Sequence, residues 1–155
     1  MKLGIGSDFA GFALKTEIVS WLESLGHTVT DYGCYSEDVC DYPLYGAAVG
    51  LGVAKGEVEL GILICGTGIG ISLAANTVPG VRAAVVSDVY SAKMSRVHNN
   101  ANILAFGARV VGRELAKMMI TEWLNAEFSG GVQVKRLAML DAFEHGDFSL
   151  VPPRR

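Results

Sequence analysis

The sequence is organised around the stretch Glu59-Leu60-Gly61-Ile62-Leu63-Ile64-Cys65-Gly66-Thr67-Gly68-Ile69-Gly70-Ile71-Ser72. Its apolar run, rich in Ile and Leu, predicts a buried parallel strand that ends at Cys65. The alternate glycines that follow predict a tight turn into a helix, where backbone N–H groups without neighbouring side chains can surround an anion. We therefore predict an anion-binding loop with a thiol at its edge.

Two nucleotide-binding motifs are alternatives for this loop, and neither fits the spacing. A dinucleotide-binding loop needs a third glycine three residues after Gly68, where Ile71 stands. A phosphate-binding loop needs Gly-Lys-Ser/Thr, and residues 56–92 contain no lysine. The remaining alternative is a purely structural one, in which the glycines form a tight turn beside a cysteine of the core. Three glycines around Thr67, directly after Cys65, favour the anion-binding interpretation.

The composition is that of one globular domain of 155 residues, half of them hydrophobic, with a mean hydropathy of +0.34. Because the net charge is -3 and the 13 Lys and Arg are scattered, nucleic acid is not an expected partner. Neither a membrane span nor a signal peptide is recognisable, so a soluble, cytoplasmic protein is expected. Cys34, Cys40 and Cys65 lack metal-ligand spacing, and no disulfide, metal or other cofactor is predicted.

Strand and helix patterns alternate along the chain. Strands are predicted near residues 2–8, 27–33, 59–65, 82–87 and 103–106, and helices near 12–25, 43–55, from the glycine loop to 75, 88–96 and 112–128. This order predicts an α/β fold with a Rossmann-like, doubly wound, five-stranded parallel sheet between helix layers. The domain is predicted to span residues 1–150, and residues 151–155 to form a loose tail.

The segment after Gly130-Gly131 is amphipathic. Its apolar residues are Leu137, Met139, Leu140 and Phe143. The predicted fold leaves nothing of its own to cover this face, so we expect a C-terminal helix that reaches a neighbouring subunit. Packing onto its own domain is the simpler alternative.

Three other side chains have both a structural and a functional interpretation. Asp8 follows the first predicted strand, where open α/β sheets bind ligands, and it is equally suited to cap the next helix. Tyr42 precedes Pro43 at a predicted helix start, and packing is the favoured interpretation of its ring. His27 begins a strand far from the glycine loop and is interpreted as a surface histidine.

Several short motifs occur along the chain in a recognisable order. They are Gly6-Ser7-Asp8, Asp41-Tyr42-Pro43, Ile64-Cys65-Gly66-Thr67-Gly68-Ile69-Gly70, His98-Asn99 and Gly107-Ala108-Arg109. With them, residues 1 to about 137 resemble the type B ribose-5-phosphate isomerases, in the family that also holds the galactose-6-phosphate isomerase subunits. The resemblance implies a metal-free aldose–ketose isomerase of a sugar phosphate. It also implies a homodimer whose active sites each take residues from both chains, and it leaves open whether dimers pair into tetramers.

The resemblance also implies a role for individual residues. Cys65 matches the base that moves a proton between C1 and C2 through an enediolate, and Thr67 matches the residue that handles protons on the sugar oxygens. His98, helped by Asp8, matches the group that opens the sugar ring. The implied substrate-binding residues are Tyr42, Gly66, Gly68, Ile69, Gly70, Ser72, Asn99, Arg109, Lys135 and Arg136. Among them, Arg109 and Arg136 match phosphate ligands.

These residue types suit the implied chemistry. Removing a proton next to a carbonyl needs a base, and a cysteine at a helix N-terminus has its thiolate stabilised. Backbone N–H groups are a common means of stabilising the negative oxygens of an enediolate. Neither step demands a metal.

Two positions depart from the family pattern. Phe9 stands where the family has the histidine of Asp-His-Ala-Gly, and Val132 stands where it has the arginine of Gly-Gly-Arg-His. Ribose 5-phosphate and ribulose 5-phosphate are the reference substrate pair, and a four- or six-carbon sugar phosphate is the alternative. Because a histidine and an arginine of the family's phosphate site are missing, ribose 5-phosphate itself is expected to be a poor substrate. A non-catalytic sugar-phosphate-binding partner subunit is a third hypothesis. The retention of Cys65 and His98 argues against that third hypothesis.

Overall fold

The computed structural model describes residues 1–154 as alternating strands and helices. The strands are β1 (Lys2–Ser7), β2 (Thr28–Asp31), β3 (Leu60–Cys65), β4 (Ala83–Val85) and β5 (Ile103–Gly107). The helices are α1 (Phe12–Ser24), α2 (Tyr42–Ala54), α3 (Ile69–Ala75), α4 (Val89–Asn99), α5 (Arg113–Leu124) and α6 (Val132–Glu144). No helix within residues 1–154 has the length and apolar character needed to cross a membrane. The cytoplasmic location stays a prediction.

The strands form a parallel sheet in the order β2-β1-β3-β5-β4, with β3 at its centre. Ser7 of β1 lies opposite Ile64 of β3, and Cys65 lies opposite Gly107 of β5. The three central strands therefore end together at one side of the sheet, which we call the carboxyl edge. The opposite side, where the strands begin, is the amino edge. This arrangement confirms the predicted Rossmann-like α/β fold.

Two helix layers cover the sheet. Ile64 faces α1, α4 and α5, in a core that contains the fully buried Trp123 and, at its margin, Trp21. Leu63 and Cys65 face α2 and α3 on the other side. Because both faces of β3 are covered, its side chains are all buried, which explains why its sequence is continuously apolar instead of alternating.

The observed bounds correct the predicted ones at several ends. The outer strands β2 and β4 are shorter than predicted, because each pairs with one neighbour only. Helix α5 ends at Leu124, since the chain then turns towards α4, where the Ser129 amide and hydroxyl donate to the Val97 carbonyl at 2.9 and 3.0 Å. Helix α4 continues to Asn99, so that His98 lies on its last turn and not after it.

Helix α6 lies against the amino edge and has no buried residue. The Glu144 carboxylate accepts the Gly80 N–H at 3.0 and 3.2 Å, and Arg82 lies 3.9 Å from Asp141. The C-terminal end of α6 thus packs onto its own domain, which is the simpler of the two alternatives for this segment. Its predicted reach to a neighbouring subunit stays a prediction. The domain at residues 1–150 and the loose tail at residues 151–155 also stay predictions. Arg155 of that tail lies outside the described residues.

Candidate active site

The glycine loop connects β3 to α3 at the carboxyl edge. Gly68 has a φ of +82°, and a Cβ on it would lie 2.7 Å from the carbonyl carbon of Phe106 in β5. Both the left-handed backbone and the close approach of β5 therefore require glycine at this position. The resulting turn directs the Gly68 N–H back to the Cys65 Sγ, at a distance of 3.1 Å.

Cys65 is buried, with 4% of its surface exposed, and its side chain belongs to the core between the sheet and the layer of α2 and α3. Backbone N–H groups at the start of a helix are typical partners of a cysteine thiolate. The Gly68 N–H supplies such a contact, which fits the thiol base predicted from the sequence.

Two hydroxyl residues of the loop region have different exposures. Thr67 is exposed, and its Oγ1 accepts the Ile69 N–H at 3.3 Å. A hydroxyl that accepts this bond keeps its own proton free for another acceptor. Ser72 is buried and donates its hydroxyl to the Ile69 carbonyl at 2.7 Å, inside the helix. Its substrate contact stays a prediction.

Arg109 and Tyr42 both lie against the glycine loop, at Gly66 and Gly70 respectively. The Arg109 N–H donates to the Gly66 carbonyl at 3.2 Å, and its Nη1 lies 3.8 Å from the point where a Cβ on Gly66 would be. The Tyr42 ring lies 2.7 Å from the corresponding point on Gly70, and 42% of the residue is exposed. Tyr42 therefore packs onto the loop and keeps part of its surface available to a ligand.

Asp8 joins the loop from β1. Its N–H donates to the Ile64 carbonyl at 3.3 Å, and its Oδ1 accepts the N–H groups of Ala10 and Gly11 at 2.9 and 3.1 Å. The predicted role as helix N-cap needs correction, because Gly11 is the N-cap of α1 and has no side chain for the task. Asp8 instead stabilises the turn between β1 and α1 while it lies beside the end of β3.

His98 and Asn99 lie at the amino edge, away from Cys65. They are exposed on the last turn of α4, which begins after β4 at the carboxyl edge and runs back to the start of β5. The five residues of β5 span roughly 15 Å at about 3.3 Å per residue. One chain therefore does not bring His98 to Cys65.

The other predicted residues at the amino edge are on α6. Lys135 and Arg136 are exposed, and the Arg136 Nη1 donates to Gln133 Oε1 at 3.1 Å. The predicted site thus divides into two groups. The carboxyl-edge group is Asp8, Tyr42, Cys65 to Gly70, Ser72 and Arg109. The amino-edge group is His98, Asn99, Lys135 and Arg136.

A buried lysine near the site was missed by the sequence analysis. Lys15 is 1% exposed, and its Nζ lies 2.6 Å from both Asp31 carboxylate oxygens and 2.6 Å from the Cys34 carbonyl. These bonds fix the start of the loop that leads to Tyr42. The sequence does contain a signal for the burial of Lys15. The residue lies three positions from both Phe12 and Ile18, on the apolar side of α1.

Cys40, in the same loop, has a different environment from Cys65. Burial, followed by the neighbouring Cys34, raises the pKa of the Cys40 thiol. This thiol is therefore protonated at neutral pH, and it offers a cysteine near the site that is not suited to act as a base.

Comparisons with known proteins show the family to which this chain is similar. Residues 3–140 match the family model described as Ribose/Galactose Isomerase. The chain is 52% identical over 143 residues to the ribose-5-phosphate isomerase B of Escherichia coli strain K12, covering 92% of this chain and 96% of that protein. It is 41% identical to the D-erythrulose-4-phosphate isomerase of Pectobacterium atrosepticum, covering 94% and 96%. A solved ribose-5-phosphate isomerase B of Clostridium thermocellum matches with a TM-score of 0.93 and 50% identity, over 94% of this chain and 99% of that one.

Proposed function

This chain belongs to the ribose/galactose isomerase family, and we propose that it interconverts ribose 5-phosphate and ribulose 5-phosphate with Cys65 as the base. Its relatives establish the coarser statement, that it is an aldose–ketose isomerase acting on a sugar phosphate. The observation that carries the catalytic part is the buried Cys65 Sγ, which receives the Gly68 N–H at 3.1 Å in a loop bordered by Arg109.

Ring opening is the first step in the aldose direction. The C1 hydroxyl loses its proton, the C1–O4 bond breaks, and its electron pair moves to O4. In our proposal the Asp8 carboxylate takes the proton of the C1 hydroxyl and His98 donates a proton to O4, so that the open-chain aldehyde results. No electrons enter or leave the substrate in this step.

Proton transfer between C2 and C1 follows at the glycine loop. The Cys65 thiolate takes the C2 proton, the electron pair forms the C1–C2 double bond, and the carbonyl pair moves to O1. The resulting enediolate is stabilised by N–H groups of the loop from Gly66 to Gly70 other than those of Gly68 and Ile69, which already donate to Cys65 and Thr67. Thr67 then moves a proton between O1 and O2. The Cys65 thiol then returns the proton to C1, which gives the ketose.

Phosphate binding is supported by positive charge from both edges. Arg109 lies beside Gly66 at the carboxyl edge, whereas Lys135 and Arg136 lie on α6. Guanidinium groups bind phosphate through two parallel hydrogen bonds, and an ammonium binds it as a point charge. We propose that these three residues hold the phosphate in one composite site.

A homodimer follows from the separation of the two groups, because the amino-edge group needs a second chain to reach Cys65. The outer face of α2 and α3 supports this proposal, since Leu44, Leu51, Ile69 and Leu73 are between 46% and 66% exposed. Ile69 belongs to the glycine loop, so a partner that covers this face also reaches the loop. A two-fold axis then produces two equivalent sites.

Isomerisation of D-erythrulose 4-phosphate is a second candidate function. A relative named for that activity is 41% identical to this chain, and Phe9 and Val132 remove two polar groups found in the family pattern. A four-carbon sugar with phosphate on O4 has no O4 hydroxyl with which to close a five-membered ring. His98 would then have no ring to open. The relatives named as isomerases disfavour the non-catalytic subunit.

A panel of sugar phosphates tests the proposal. Ribose 5-phosphate, erythrose 4-phosphate and galactose 6-phosphate are each incubated with the protein, and with Cys65→Ala, while the ketose is quantified. We expect kcat/KM above about 10⁴ M⁻¹s⁻¹ for ribose 5-phosphate and loss of activity in the variant. A higher value for erythrose 4-phosphate would favour the second candidate. Turnover that does not depend on Cys65 would contradict the assigned base.

A further inference from the structure

The chain turns sharply just after His98 and Asn99. Asn100 has left-handed backbone angles, φ 46° and ψ 42°, which are uncommon for a residue other than glycine. Its N–H donates to the Arg96 carbonyl at 3.1 Å, and the Ala101 N–H donates to the Ser95 carbonyl at 2.9 Å. The last turn of α4 is therefore tied back to the helix by its own backbone.

The guanidinium of Arg96 also binds this turn. Its Nη1 donates to Asn100 Oδ1 at 2.6 Å and to the Ala101 carbonyl at 3.3 Å. Arg96 is half-buried, and no carboxylate of residues 1–154 forms an ion pair with it. Burial, followed by the charge of Arg82, lowers the pKa of the Arg96 guanidinium, which nevertheless stays charged at neutral pH. A partly desolvated cation is thus held by neutral oxygens of the turn.

A second arginine, Arg82, approaches the same turn from the residue just before β4. The Arg82 Nε donates to the Asn100 carbonyl at 3.2 Å, and its own N–H donates to Asn102 Oδ1 at 2.8 Å. Asn102 in turn donates to the Gly80 carbonyl at 2.9 Å. Two guanidinium groups that repel each other therefore converge on Asn100, one residue after Asn99 and two after His98.

We propose that Arg96, together with Arg82, is a positioning residue that fixes the direction in which His98 and Asn99 leave the end of α4. A single left-handed glycine or asparagine ends many helices without any arginine, so the ordinary requirements of a helix end do not explain two arginines. A positive charge near a helix C-terminus is favourable by itself, but lysine would supply that charge equally well. Both contacts of Arg96, to Asn100 and Ala101, come from Nη1, whose two N–H groups are held in the plane of the guanidinium, whereas the N–H groups of a lysine ammonium rotate freely. This inference rests on the proposed role of His98.

The test compares a reaction that needs ring opening with one that does not. Conversion of ribose 5-phosphate starts from a closed ring and needs His98. Exchange of a C1 proton of ribulose 5-phosphate with D₂O starts from an open chain and needs Cys65 but no ring opening by His98. Displacing a catalytic group by about 1 Å can reduce a rate about 100-fold. We expect Arg96→Met to reduce conversion about 10- to 100-fold and to change the exchange rate less than about 3-fold.

Two further variants define the cause of the loss. Arg96→Lys keeps the charge but not the planar guanidinium that fixes the two N–H directions, and an intermediate loss of conversion is expected. Asn100→Gly keeps the left-handed turn but removes the Oδ1 acceptor, and it should reproduce part of the loss even if Arg96→Met fails to fold. Arg113→Met, at an arginine with 65% side-chain exposure, is the matched control and should change neither reaction.

His98→Ala separates failure of this inference from failure of the proposed function. Suppose that His98→Ala loses conversion and keeps exchange. The positioning role is then wrong if the Arg96 and Asn100 variants lose neither reaction, and it is also wrong if they lose both reactions equally. If His98→Ala itself shows no difference between the two reactions, the ring-opening role of His98 is wrong and the positioning role fails with it. Light scattering of each variant shows whether lost assembly explains the result, which would also overturn positioning.

Discussion

The two edges of the sheet carry the two groups of the predicted site, and they differ in how completely one chain builds them. At the carboxyl edge, Cys65 and Asp8 are buried, and Gly68 fits so closely against β5 that only glycine is accommodated. At the amino edge, His98 is exposed and α6 has no buried residue. One chain thus builds the Cys65 environment and the glycine loop completely, and in our proposal it presents the amino-edge group to its partner.

Cys65→Ala is expected to have the largest effect, because it removes the base proposed for proton transfer between C1 and C2. The rate of isomerisation should fall at least about 10³-fold, and the C1 proton exchange of ribulose 5-phosphate should be lost with it. Far-UV circular dichroism should be unchanged, since alanine keeps an apolar side chain in the core. Cys40→Ala is the matched control, because the Cys40 thiol is held protonated. A Cys65→Ala variant with a near wild-type rate would contradict the assignment.

Mixing inactive subunits tests whether the two edges meet between chains. Cys65→Ala and His98→Ala chains are unfolded together and refolded, so that half of the dimers contain one of each. One of the two sites in each mixed dimer is then intact, and about a quarter of the wild-type activity should return.

The control mixture combines two carboxyl-edge variants, Cys65→Ala and Arg109→Met. Each site takes this group from one chain, so no mixed dimer contains an intact site and no activity should return. A fully active monomer, measured by light scattering at the assay concentration, would rule out the shared site.

Gly68→Ala tests how tightly the glycine loop packs against β5 at the carboxyl edge. The new Cβ meets the Phe106 backbone at a φ of +82°, so the free energy of unfolding in urea should fall by about 2–3 kcal/mol. Gly112→Ala is the matched control, because Gly112 has a φ of -76° and no atom within 4 Å of the new Cβ. That change should alter the free energy of unfolding by less than about 1 kcal/mol. Equal losses at the two glycines would show that the fit to β5 is not the cause.

Phe9→His combined with Val132→Arg restores one family residue at each edge and is expected to have the smallest effect. Charge-assisted hydrogen bonds contribute about 1.5–3 kcal/mol each, and part of this is offset by ordering the new side chains. We expect kcat/KM for ribose 5-phosphate to rise about 10-fold, with each single change giving less. Phe9→Leu is the control that removes the ring without adding a donor. An unchanged kcat/KM would show that neither position contributes to phosphate binding.

The carboxyl edge was largely predictable, because its signals are local in the sequence. The apolar run before Cys65 and the alternate glycines after it define a strand, a turn and a helix start without reference to the rest of the chain. The location of His98 was not predictable in the same way. It depends on the sheet order, which places the end of α4 at the opposite edge from Cys65.

Buried charges were the other part that the sequence did not reveal. Lys15 is accommodated in the interior because Asp31 and the Cys34 carbonyl, from a later strand and loop, meet its ammonium group. Arg96 likewise depends on the conformation of Asn100, which is set only when α4 ends. Periodicity locates such residues on a helix, but their partners are known only once the strands are arranged.

Because of where the tryptophans lie, the intrinsic fluorescence of the protein reports on only one side of the sheet. Both tryptophans of the sequence, Trp21 and Trp123, belong to the layer of α1, α4 and α5. Cys65 faces the other layer, and the exposed face of α2 and α3 is also there. Intrinsic emission therefore follows the melting of the first layer, whereas events at the thiol or on the α2–α3 face occur without a tryptophan beside them. A dye attached to the second layer would supply the missing signal.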